Sequence, residues 1–223
     1  MMQGNILVIE TSTESGSIAI VRDGGLVAEL AFVSRDRASG ARTEALAPAV
    51  ARCLADSGVA AADLSAVICG AGPGGFTSLR SAAALAKGMC SALHIPLYGV
   101  ASLELLAWSA SVRDGVYMAA LPAGRNEWFF ADVRCEAGRA VVVGEAGLIG
   151  NDDLRDRASR SGARLIGPGL EHDAFPRAAS VVTRLEQIEA HGAVDLDSWE
   201  PAYGRLAEAQ VKWEATHGRS LAI

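Results

Sequence analysis

Aromatic side chains are scarce, at 5% of the 223 residues, and a basic surplus is missing: 20 Lys and Arg stand against 26 Asp and Glu, a formal net charge of −6. Few aromatics and abundant alanine point to close helix packing. Tight binding to nucleic acid by this chain alone is disfavoured, because phosphate contacts need a basic surface. Paired histidines are also missing. His94, His172, His191 and His217 never lie three or four residues apart, so no helix offers H-x-x-x-H or H-E-x-x-H to a metal. No C-x-x-C occurs, and Cys53, Cys69, Cys90 and Cys135 each sit among apolar neighbours, as buried free thiols do. No serine stands in a G-x-S-x-G elbow, which removes support for a hydrolase triad. No apolar run approaches membrane-spanning length, and no basic segment precedes an apolar core near the N-terminus. A cytoplasmic protein without a membrane span is expected.

What is present is glycine, above all in Gly70-Ala71-Gly72-Pro73-Gly74-Gly75-Phe76-Thr77-Ser78-Leu79-Arg80. The stretch lies between an apolar run at 66–69 that reads as a strand and an alanine-rich segment at 81–93 that reads as a helix. It is neither a Walker A loop, since no Gly-Lys-Ser/Thr follows, nor a dinucleotide fingerprint. Two readings stand side by side: a phosphate cradle at a helix N-terminus, and a connector whose glycines permit close backbone approach.

Residues 6–9, 17–21 and 26–32 read as three successive strands, with Asp23-Gly24 as a hairpin turn. A helix follows from Thr43, its N-cap, with Leu46, Val50, Cys53 and Leu54 on one face. Next come the strand before the glycines, the alanine-rich helix, a strand at 97–100 and a helix capped by Ser102. This β-β-β-α-β-α-β-α order adds parallel strands to an antiparallel meander. It is the order of the ribonuclease-H-like lobe used twice in the actin, sugar-kinase and Hsp70 superfamily. Strands at 116–121, 128–133 and 140–143 echo the opening meander. Helices are expected at 151–160, capped by Asn151 or Asp152, at 178–190 and at 206–216. The expected division is a first lobe at 1–110 and a reduced second lobe at 111–223.

Several residues carry two readings each. Glu10-Thr11-Ser12-Thr13 ends the first strand, where actin-like enzymes hold an acid and phosphate-binding hydroxyls; it also reads as a polar turn capping a buried strand. Arg155, Arg157, Arg160 and Arg164 alternate with Asp152, Asp153 and Asp156, as on a solvated helix face or an RNA-touching edge. Asp132 stands either in the inter-lobe cleft or on a solvent-facing strand. The small residues Ser81-Ala82-Ala83-Ala84-Leu85-Ala86 and Gly88 let another helix approach, from within the lobe or from a partner.

Three stretches resemble the TsaB (YeaZ) family: residues 6–13, the run Gly72-Pro73-Gly74-Gly75-Phe76-Thr77-Ser78-Leu79-Arg80, and residues 95–103. The middle run is similar to the family signature G-P-G-S-F-T-G-[LV]-R, departing at Gly75 and Ser78. Glu200-Pro201-Ala202-Tyr203-Gly204-Arg205 resembles its E-P-x-Y-x-R. The resemblance implies two lobes of the actin-like α/β fold and a non-catalytic dimerisation subunit of the complex that forms N6-threonylcarbamoyladenosine in tRNA. It implies a TsaD-like catalytic partner, a TsaE-like P-loop ATPase and tRNA reached only through the complex, and it leaves a homodimer open. No cofactor is expected. Thr11, Ser12, Thr13, Gly72, Gly74 and Gly75 would be a vestigial phosphate loop. The implied interface is built on first-lobe helices, which here carry Leu46, Val50, Ala83, Ala86, Lys87 and Cys90. Pro122 stands where the family often has an aspartate, and Arg42 where it often has a histidine; both weaken nucleotide or metal chemistry. The competing enzyme reading is a phosphotransferase of the sugar-kinase type.

Overall fold

The structure is a computed structural model describing residues 2–33 and 46–204. Strands β1 (Asn5–Glu10), β2 (Ser15–Arg22) and β3 (Gly25–Val33) form an antiparallel meander. Asp23 (φ 48) and Gly24 (φ 83) make the turn between β2 and β3 in the left-handed region, as an Asp-Gly hairpin requires. Then come α1 (Leu46–Ser57), β4 (Leu64–Gly70), α2 (Phe76–Leu93), β5 (Leu97–Val100) and α3 (Ser102–Ser109). The first sheet runs β3-β2-β1-β4-β5, with β4 parallel to both neighbours. This is the mixed sheet that the element order predicts.

The apolar run of β1 is buried on both faces because side chains alternate along a strand. Leu7 and Ile9 pack with α1 and α2; Ile6 and Val8 pack with α3 and later segments. Each such side chain contributes about 1.5–3 kcal/mol when fully buried.

The second sheet repeats the design. Strands β6 (Gly115–Gly124), β7 (Glu127–Glu136) and β8 (Arg139–Gly150) form a meander, α4 (Asn151–Ser161) crosses over, and β9 (Arg164–Ile166) pairs parallel to β6. Helix α3 lies between the sheets. Its Leu105 enters the core of the first sheet, whereas Leu103, Leu106 and Ala107 enter that of the second. A short helix buried on both sides is apolar nearly all round, as its sequence is.

The structure corrects several sequence expectations. Helix α2 begins at Phe76, directly after the glycines, and not at Ser81. The helix expected at 178–190 is a 3-10 helix (Ala178–Arg184) followed by α5 (Leu185–His191). Through Ala178, Val181, Leu185 and Ile188 these residues pack on the first sheet, not the second. The chain returns there because the sheet's second face needs an apolar cover. Gly150, not Asn151 or Asp152, precedes α4 as N-cap; Asn151 Oδ1 instead accepts the Trp128 indole N–H at 3.0 Å. The expected cap Thr43, the residue Arg42 and the expected helix at 206–216 lie outside the described residues.

Candidate functional site

Strand β1 delivers Glu10 to the junction of β4, α2 and α3. The carboxyl is buried, with residue exposure of 1%. Its Oε1 accepts the Ser12 backbone N–H, and its Oε2 accepts the Ser102 hydroxyl at 3.0 Å. Ser102 therefore serves Glu10 and not the N-cap of α3, which is Ala101. A Cβ on Gly70 would lie 2.0 Å from Glu10 Oε2, so glycine at that position is what makes room for the carboxyl. Burial raises the acid's pKa above the ordinary carboxylate range, partly offset by these hydrogen bonds. Among the described residues no group of three or more His, Cys, Asp or Glu is placed to hold a metal ion.

A raised folded-state pKa means that Glu10 gives its full stabilisation below the unfolded carboxylate pKa and loses it as pH rises through the folded value. Glu10→Gln keeps the oxygen that accepts the Ser12 N–H and carries no charge to bury. It should match the parent protein near pH 4 and exceed it by a margin that grows as pH rises toward 8. Chemical denaturation across that range checks this; a difference independent of pH contradicts it.

The turn after β1 and the glycine-rich stretch meet face to face. Thr11 Oγ1 donates to the Ser78 carbonyl at 3.1 Å, and Thr13 Oγ1 to the Ser15 carbonyl at 2.8 Å. The Ser12 carbonyl accepts the Gly75 N–H at 2.8 Å. A Cβ on Gly74 would come within 2.5 Å of both Ser12 Cβ and Ser12 O. Of the three hydroxyls, only Ser12 Oγ is buried with no hydrogen-bond partner among the described residues.

The loop's other side is covered by a segment that motif reading did not place. Ala202 donates its N–H to the Ala71 carbonyl at 2.7 Å, and a Cβ on Gly72 (φ 80) would lie 2.3 Å from Ala202 O. The Ala71 N–H goes to Val100 O, and Gly72 O takes the Ser102 N–H, both at 2.7 Å. Tyr203 meets Phe76 in a tilted ring contact, centroids 4.7 Å apart, and Gly204 is wedged between Phe129 and Pro73. The two motif stretches, far apart in sequence, are thus in contact. The sides of Gly72 and Gly74 that a Cβ would occupy are filled by Ala202 and Ser12.

The helix residues expected at a partner interface fall mostly inward. Val50, Ala83, Ala86 and Cys90 are buried in their own lobe, Leu46 packs against its core, and Lys87 Nζ donates to the Trp199 carbonyl at 3.1 Å. The exposed side of α2 carries Thr77, Ser81, Ala84, Gly88, Ser91 and Ala92, and α1 beside it exposes Ala47, Pro48, Ala51 and Ala55. Among the described residues, a Cβ on Gly88 would meet nothing within 4 Å.

Other candidates resolve simply. Asp132 accepts from Arg157 at 2.7 Å in an exposed pair on the α4 side, and Arg157 also covers the Phe130 ring at 4.8 Å. Arg164 donates to the Tyr117 hydroxyl and lies over its ring. Those two arginines are therefore committed within their own lobe. Pro122 sits on β6 opposite Trp128, at the base of a turn formed by Arg125 (φ 54) and Asn126 (φ 63). His94 ends α2 in the left-handed conformation, its own N–H bonded to the Cys90 carbonyl.

Comparison with known proteins agrees with this construction. Residues 17–152 match the family TsaD, tRNA N6-adenosine threonylcarbamoyltransferase. The tRNA threonylcarbamoyladenosine biosynthesis protein TsaB of Bacillus subtilis is 27% identical over 93% of this chain and 97% of its own length. That of Escherichia coli is 32% identical over 57% of this chain and 54% of its own. The solved structure of YeaZ from Pseudomonas aeruginosa superposes with a TM-score of 0.70 at 22% identity, covering 91% of this chain and all of that one. With the mixed sheets, the filled glycine loop and the signature stretches, these matches mean that the chain belongs to the TsaD-type actin-like family, as one of its TsaB (YeaZ) members.

Proposed function

We propose that this protein is a non-catalytic scaffold subunit in the formation of N6-threonylcarbamoyladenosine in tRNA, and that it binds and supports a TsaD-type catalytic subunit. The names of its relatives place them in this biosynthesis. The observation that carries the scaffold reading is the small-residue face of α1 and α2, exposed among the described residues. A glycine inside an exposed helix costs about 1 kcal/mol relative to alanine. Gly88 incurs that cost with no neighbour among the described residues that its hydrogen makes room for, as expected where a partner helix comes close. A TsaE-like P-loop ATPase would join the pair, and tRNA would be engaged through the assembly. A homodimer through the same face would compete with the heterodimer by mass action.

The filled cradle supports this reading over a phosphotransferase, which needs room for nucleotide phosphates at the loop that Ser12 and Ala202 occupy. Gly88→Ala tests the assignment of the face. The variant should be about 0.5–1 kcal/mol more stable as a lone chain and bind a TsaD-type subunit more weakly. Greater stability with unchanged binding, read by calorimetry on both, would place the interface elsewhere.

A further inference from the structure

A cavity of about 120 Å³ lies between β5, α3 and α5, on the face of the first sheet that α1 and α2 do not cover. Val100 and Ile188, both buried, give it an apolar wall. Glu104 and Trp108, one turn apart on α3, add a carboxyl and an indole. Gln187 and His191, one turn apart on α5 and both exposed, add an amide and an imidazole.

The polar groups around this cavity are rich in acceptors. His191 Nδ1 lies 2.7 Å from the Gln187 backbone carbonyl, which can only accept. That nitrogen therefore carries the proton, and Nε2 of the neutral ring is left as an acceptor. A carboxylate such as that of Glu104 only accepts, and the Gln187 side chain has an oxygen that does so. Among the described residues no lysine or arginine lines the cavity. The guanidinium of Arg184, 5.8 Å from the centre of the Trp108 ring, is not one of the lining groups. Burial pushes the Glu104 carboxyl above the ordinary range, opposed by His191 and by the Ala101 backbone N–H at the N-cap of α3.

We propose that this cavity binds a primary ammonium group on a short alkyl chain. An ammonium has three N–H donors and no acceptor, which matches the Glu104 carboxylate, the Gln187 amide oxygen and His191 Nε2. Val100, Ile188 and the Trp108 indole suit the alkyl stem. A cavity of about 150 Å³ takes a benzene molecule, so this one suits about four or five heavy atoms, the size of n-butylammonium. The ammonium belongs to a free amine or to a lysine side chain. The site is independent of the scaffold reading.

Titration of the isotope-labelled full chain with n-butylammonium chloride, followed at the Trp108 indole N–H resonance and at ionic strength held with sodium chloride, tests the site. The uncharged probe of like length is n-butanol. Saturable binding of the amine and none of the alcohol is expected. Glu104→Gln should weaken that binding about tenfold, the equivalent of one charge-assisted hydrogen bond. It should leave the fold intact, because glutamine serves as glutamate does at the third position of a helix. His191→Ala alters an exposed residue and should weaken binding about fivefold. Nα-acetyl-lysine methylamide separates the sources: binding tighter than that of n-butylammonium supports a lysine side chain, and weaker binding supports a free amine. No saturable binding of either amine, equal binding of n-butanol, or an affinity unchanged in Glu104→Gln overturns the site and leaves Glu104 as a capping residue of α3.

Discussion

Gly74→Ala will destabilise the protein by about 3 kcal/mol, at the upper end of what overpacking costs. For a chain of this size, that lowers Tm by about 6–12 °C. The added methyl would fall 2.5 Å from Ser12 Cβ and O and 2.7 Å from Ser12 Cα. None of these atoms is the free end of a flexible side chain. The Gly75 N–H to Ser12 O bond at 2.8 Å holds the two segments together, so neither moves aside cheaply. Gly75→Ala is the internal control: its Cβ would find its nearest neighbour at 3.7 Å, an ordinary contact. Urea titration of both variants should therefore separate adjacent glycines sharply. If Gly74→Ala unfolds like the parent protein but loses affinity for a nucleotide, the glycines serve a ligand and the filled-cradle account fails.

The second large effect is on association. Ala84→Glu should lower affinity for the TsaD-type subunit about a hundredfold or more, because an unpaired carboxylate at the centre of a close helix contact must be desolvated. The lone chain should scarcely notice, since Ala84 is exposed and glutamate is a good helix former. Ala83 and Ala86 look equivalent in the sequence but are not. With 6% and 0% exposure, a charge at either disrupts the lobe itself and reports on folding, not binding. Equilibrium binding of Ala84→Glu, with its lone-chain Tm measured in parallel, keeps the two effects apart.

That contrast shows where sequence reasoning reaches and where it stops. The strand at Leu7 and Ile9, the Asp23-Gly24 turn and the strand–glycine–helix passage were legible because local periodicity and turn chemistry specify them. Which side of α2 faces inward was not legible. Ala82, Ala83, Ala84 and Ala86 are alike in character, so no amphipathic period distinguishes buried from exposed. The fate of the glycine loop was hidden for a different reason. Strand, loop and helix are local, but the atoms filling the cradle come from Ser12 and Ala202, at opposite ends of the chain. The pairing of Ser102 with Glu10 is likewise a contact between elements, which capping rules do not foresee.

The most direct test of the scaffold account is the affinity of this chain for the TsaD-type catalytic subunit of the same organism, measured by titration calorimetry. The account predicts a one-to-one complex whose affinity falls about a hundredfold in Ala84→Glu. No complex with the parent chain, or one that Ala84→Glu leaves intact, would contradict it.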